Sequence, residues 1–169
     1  MVLNPEKGGP EQSKEVKIEM DDFFILDEQA GKVSDFGENN IEQITDLFFD
    51  EIIAFEESRA SLGYATVSDL EKKIREVLEF LVLKAEKKDF QMDISSSYQI
   101  GPDVEYGEPR EETGKVAFYG QEIECTYLED GTGFRLGSGN ISDRPKYDKQ
   151  IREQLQKALK MFFHELKKE

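Results

Sequence analysis

The chain has no tryptophan, a single cysteine (Cys125), a single histidine (His164) and only five prolines among its 169 residues. One cysteine cannot close an intramolecular disulfide, so nothing points to an oxidising compartment. Cys125 falls on an apolar alternation with Ile123 and Tyr127, the pattern of a small buried core residue. Two Cys/His side chains are too few for a conventional zinc site. His164 lies in the final turns of a helical pattern, with no nucleophile or orienting partner suggested nearby. No apolar run reaches the roughly 20 residues that span a bilayer. The first ten residues have no basic start followed by an apolar core, so the expectation is a cytoplasmic protein.

Positive charge is also scarce. The chain has 22 Lys and Arg against 37 Asp and Glu, for a formal net charge of −15. Such a chain repels nucleic-acid phosphates and anionic membranes, and it attracts basic partners at long range. Hydrophobic residues make up 37% and charged residues 35%. Twelve phenylalanines and six tyrosines set it apart from a disordered chain.

Residues 1–14, with Pro5, Gly8, Gly9 and Pro10, read as a flexible tail, and residues 15–169 as a single domain. Val16, Ile18 and Met20 alternate with charge like a half-buried strand, and Phe23 to Leu26 form a denser apolar run. A short apolar return is expected at Val33, and Gly37 to Asn40 break the pattern. A helix follows over about 41–62, with Asn40 as N-cap and Gly63 just past its end. A second is expected over about 68–88, opened by a capping box from Ser68 to Glu71 and carrying a Glu71–Arg75 pair.

The next part is strand-like. Met92, Ile94, Tyr98 and Ile100 share one parity, Val104 to Tyr106 form a short strand, and Arg110 to Gly114 a polar loop. Val116 to Tyr119 and Glu122 to Leu128 are strands with Gly120 between them. Asp130-Gly131 is a hairpin signal leading to Phe134–Leu136. A last helix, over about 145–166, has Asp143 as candidate N-cap and Pro145 in its first turn. The expected fold is α+β: an antiparallel sheet of about five to seven strands with three main helices packed mainly on one face.

No catalytic residue, metal ligand or cofactor site is identified. Gly131-Thr132-Gly133 and Gly137-Ser138-Gly139 lack the lysine of a phosphate loop, and Glu129 and Asp130 would repel phosphate. Glu105, Glu108, Glu111 and Glu112 gather around one loop, which is read as solvated. The distinctive feature is charge patterning. Asp35, Glu38, Glu42, Asp46, Asp50, Glu51, Glu56 and Glu57 follow one another with no Lys or Arg between them, whereas bases outnumber acids two to one from Arg144 onwards.

Glu42, Asp46 and Asp50 stack four apart on one helix face, so they are the candidate partner-binding residues. The expected function is a non-enzymatic, acidic protein-binding module (adaptor, chaperone or inhibitor) docking a basic protein. The alternatives are a small enzyme dependent on carboxylates or a divalent metal, and a self-assembling structural subunit.

Overall fold

A computed structural model describes residues 33–168 apart from 88, 106, 139 and 140. The N-terminal tail and the two strand-like runs before Val33 lie outside the described residues. The described elements are α1 (Val33–Asn39), α2 (Ile41–Leu62), α3 (Val67–Lys84), β1 (Ile94–Ile100), β2 (Glu111–Phe118), β3 (Gln121–Leu128), β4 (Arg135–Leu136), a short 3₁₀ turn (Ile141–Asp143) and α4 (Arg144–Lys167). The class is α+β, with four α-helices and a four-stranded antiparallel meander in the order β1-β2-β3-β4. Among the described residues the strand count is four, below the five to seven expected.

Val33 opens a helix instead of a returning strand. Gly37 sits inside that helix for a packing reason. A Cβ there would stand 2.4 Å from the Phe163 ring, so only glycine lets α1 lie this close to α4. Because α1 runs up to Asn39, Asn40 does not cap α2: it makes no side-chain cap bond there. Its Nδ2 instead donates to Phe36 O at 2.9 Å, closing the end of α1. The far end of α2 follows expectation. Gly63 is left-handed, at φ 73°, and its N–H returns to Arg59 O.

α3 starts one residue before the expected box. Thr66 and Asp69 cap it reciprocally, with Thr66 N–H donating to Asp69 Oδ2 at 2.9 Å. This leaves Glu71 for a different task. It accepts from Arg75 Nε at 2.7 Å and from Ser96 Oγ at 2.6 Å, while Arg75 Nη2 donates to Ile94 O. Helix and edge strand are thereby tied together. The helix stops at Lys84, short of Lys87-Lys88, and Glu86 turns left-handed at φ 59°.

β2 begins at Glu111, so most of the expected 110–114 loop is strand, and Val104 and Glu105 carry no strand. The β2–β3 turn is Tyr119-Gly120, both at positive φ, as a tight two-residue hairpin requires. Gly114, Val116 and Phe118 on β2 face the helices with Ile123, Cys125 and Tyr127 on β3, and all six are buried. Lys115 and Glu122 point to the other face and are exposed. Phe48 of α2 stacks with Phe118, and Phe162 of α4 meets Phe90, Tyr119 and Phe163 edge-on. The core therefore lies between one sheet face and α2, α3 and α4.

β1 departs from its expected role. Only Ile94 is buried, whereas Tyr98 is 60% and Ile100 46% exposed. Asp143 also makes no side-chain cap bond to α4, although Pro145 does stand in the first turn.

Candidate protein-binding face and the charge seam beneath it

The acidic α2 and the basic α4 run antiparallel and meet through ion pairs. Near the C-terminus of α2, Glu56 takes Arg144 in a two-pronged contact, Nη1 to Oε2 at 2.9 Å and Nη2 to Oε1. Glu56 Oε2 also accepts from the backbone N–H of Leu136 at 2.8 Å. The carboxylate thus joins α2, β4 and α4. Hydrogen bonding to Glu56, and then to Asp148, holds the Arg144 guanidinium above its ordinary pKa.

Further along the seam, Arg152 Nη1 stands 3.2 Å from Asp46, and its guanidinium lies over the Phe49 ring at 4.6 Å. At the end of α4, Lys167 reaches Asp35 and Glu38 around α1. Its ammonium is raised above its usual range, chiefly by the hydrogen bond to Glu38.

Two of the acids are internal. Glu56 is 9% exposed and Glu51 is fully buried. Lys73 of α3, 8% exposed, places Nζ 2.6 Å from Glu51 Oε1. Neither Glu51 oxygen has a geometrically aligned hydrogen bond among the described residues, so the contact is ionic proximity. The run of acids on α2 does not by itself set this pair apart, yet the sequence carries a signal for it. Glu51 stands between Phe48, Ile52 and Phe55 on the apolar stripe, and Lys73 stands among Leu70, Ile74 and Val77 on its own. A charge on each of two facing stripes is the pattern of an internal ion pair.

The three candidate residues, Glu42, Asp46 and Asp50, are all exposed on one side of α2. Asp46 is partly engaged by Arg152. Glu42 and Asp50 make no ion pair among the described residues, and exposed Glu57 extends the same row one further stretch along the helix. The face is therefore a row of carboxylates flanked on the α4 side by an arginine.

The remaining chemical groups are structural or dispersed. Cys125 is buried, and burial pushes its thiol up to about 12, so it is no thiolate nucleophile at neutral pH. His164 is exposed on α4. Glu105, Glu108, Glu111, Glu129 and Asp130 are exposed and Glu112 half-buried. Among the described residues no group of three or more His, Cys, Asp and Glu side chains could hold a metal ion. Within the Asp130–Gly133 turn, Asp130 Oδ1 accepts from Thr132 N–H and Oγ1, and Ala65 N–H, from the segment between α2 and α3, donates to Gly131 O.

An open cleft of about 270 Å³ borders Glu124, Arg135, Ser138, Lys146 and Tyr147. Tyr147 is pinned there, its hydroxyl accepting from Glu124 N–H and donating to Glu124 O. No described helix is long and apolar enough to cross a membrane. No protein-family model, curated protein or solved structure matches this chain.

Proposed function

We propose that the chain is a non-enzymatic, acidic protein-binding module that docks a basic protein on the outer face of α2. The observation that supports the reading is the row Glu42, Asp46 and Asp50, exposed at four-residue spacing in a chain of net charge −15. Like charges at that spacing destabilise a helix by roughly 0.2–0.5 kcal/mol per pair. A basic surface laid along the row would remove that repulsion, and the field of the whole chain would steer it there. The buried acids Glu51 and Glu56 take no part, since each is committed to an internal cation.

The test is a capture from source lysate with the wild-type chain and with a Glu42→Gln, Asp46→Asn, Asp50→Asn variant, washed at rising salt. Exposed ion pairs are worth about 0–1 kcal/mol, so losing Asp46–Arg152 leaves the fold intact, as circular dichroism would show. A basic protein held by the wild type, released by salt and lost by the variant supports the reading. A protein held equally by both removes this face.

A further inference from the structure

β1 is an edge strand. It pairs with β2, and among the described residues no strand pairs with its other side. Gly101 N–H donates to Glu111 O and Tyr119 N–H to Asp93 O. Antiparallel bonding alternates along a strand, so odd-numbered residues of β1 turn their backbone groups to β2. Ser96, Tyr98 and Ile100 therefore turn theirs outward.

The side chains of these same three residues lie on the helix-covered parity, where Tyr98 and Ile100 remain 60% and 46% exposed. Exposed sheet edges are ordinarily guarded by charge, proline or a bulge. Ile94–Ile100 contains no charged residue and no proline, in a chain of which 35% is charged.

We infer that β1 is a self-association edge, on which a second copy pairs its own β1 antiparallel about a two-fold axis through Tyr98. The register follows from the groups on hand. Ile94 O already receives Arg75 Nη2, and Pro102 has no N–H, so both ends of the outward ladder are closed. Ser96, Tyr98 and Ile100 remain. Only a pairing of Tyr98 with Tyr98 and of Ser96 with Ile100 uses all of them. It also stacks the two exposed tyrosines and covers Ile100.

The occupant is a second copy because the strip is self-complementary under a two-fold. It also sets no like charges opposite each other, although each copy carries −15. That overall repulsion is screened by salt. Self-association therefore strengthens as salt rises, the opposite sign to docking of a basic partner, so the two readings fail separately.

Sedimentation of the full chain at about 0.05 and about 0.5 M salt tests this. The expected result is a dimer that tightens at the higher salt. Tyr98→Lys would weaken it about tenfold or more by placing two ammonium groups opposite each other. A second measurement uses cysteines, Cys125 being buried. Tyr98→Cys forms a disulfide-linked dimer on oxidation, because its Cα atoms would stand about 5.5 Å apart. Ser97→Cys, whose partner across the axis is Gln99, does not. A monomer at both salt concentrations overturns the inference. So does a dimer indifferent to Tyr98→Lys, or cross-linking that is equal at 97 and 98.

Discussion

Glu56 and Arg144, 88 residues apart in the chain, meet through two parallel hydrogen bonds while the same carboxylate holds the backbone N–H of Leu136. One side chain on α2 thereby positions both β4 and the start of α4. Glu56→Ala would leave a buried amide without an acceptor and an arginine with only Asp148. Charged hydrogen bonds of this kind are worth about 1.5–3 kcal/mol. The expected loss is about 2–4 kcal/mol in a urea titration. A double-mutant cycle with Arg144→Met should return a coupling of about 1–3 kcal/mol. Additive single losses would mean the two residues act independently.

The buried pair Glu51–Lys73 should behave differently from the surface pairs. Both charges have left water, and the Coulombic gain must offset two desolvation costs. Lys73→Met strands a fully buried carboxylate, and the expected cost is about 3–5 kcal/mol. Replacing both, as Glu51→Leu with Lys73→Met, keeps the volume and removes both charges. The double variant should regain most or all of the stability. Equal destabilisation by the single and double variants would show that the pair itself contributes net stability.

Helices were the most legible part of the fold, because their apolar stripes are long. The expected range of about 41–62 is the observed one, and α4 extends one residue beyond the expected range at each end. The reason is burial: Ile44, Phe48, Ile52 and Phe55 on one helix, and Ile151, Leu155, Leu159 and Phe162 on the other, all face the core. Caps were less legible, since three or four residues near each start can accept an amide and only packing chooses among them. Thr66 wins over Ser68, and Asn40 is taken by α1.

Strand parity misled at β1. Tyr98 and Ile100 carry the core parity, but they lie beside and beyond the start of α3, where no described helix covers them. The charge contrast between α2 and α4 was visible in sequence. Which acids are internal is not legible from the charge run, because Glu51 and Glu56 differ from exposed Glu42, Asp46 and Asp50 only in where they stand relative to the apolar stripe.

Gly114 marks where α3 presses against the sheet. A Cβ there would stand 2.5 Å from Val67 Cβ and 3.1 Å from Cys125 Sγ. Its backbone is ordinary extended strand, so the constraint is space. Gly114→Ala should cost about 1–3 kcal/mol through overpacking, read as a lowered denaturation midpoint. Restoring space on the helix with Val67→Ala in the same chain should recover part of that loss. A Gly114→Ala chain as stable as the wild type would show that α3 can move off the sheet freely.

Glu71 gives the fold an acid-sensitive tie between α3 and β1. The hydrogen bond from Ser96 lowers its pKa below the usual 4.5; the bond and charge of Arg75 act the same way, and partial burial opposes them. A folded value below the unfolded one means that the charged form is favoured by folding. Its contribution is complete above the unfolded value and is lost as pH falls through the folded one. The stability difference between wild type and Glu71→Gln should therefore be constant at neutral pH and shrink below about pH 4.5. Denaturant titrations of both chains at several pH values measure it directly, and the other carboxylates cancel in the difference. Arg75 would keep its bond to Ile94 O in the variant, so the strand stays docked and the comparison isolates one carboxyl. A difference that stays flat through the acid range would show that Glu71 titrates alike in the folded and unfolded chain. In that event the Ser96 and Arg75 contacts would be too weakly populated to tie helix to strand.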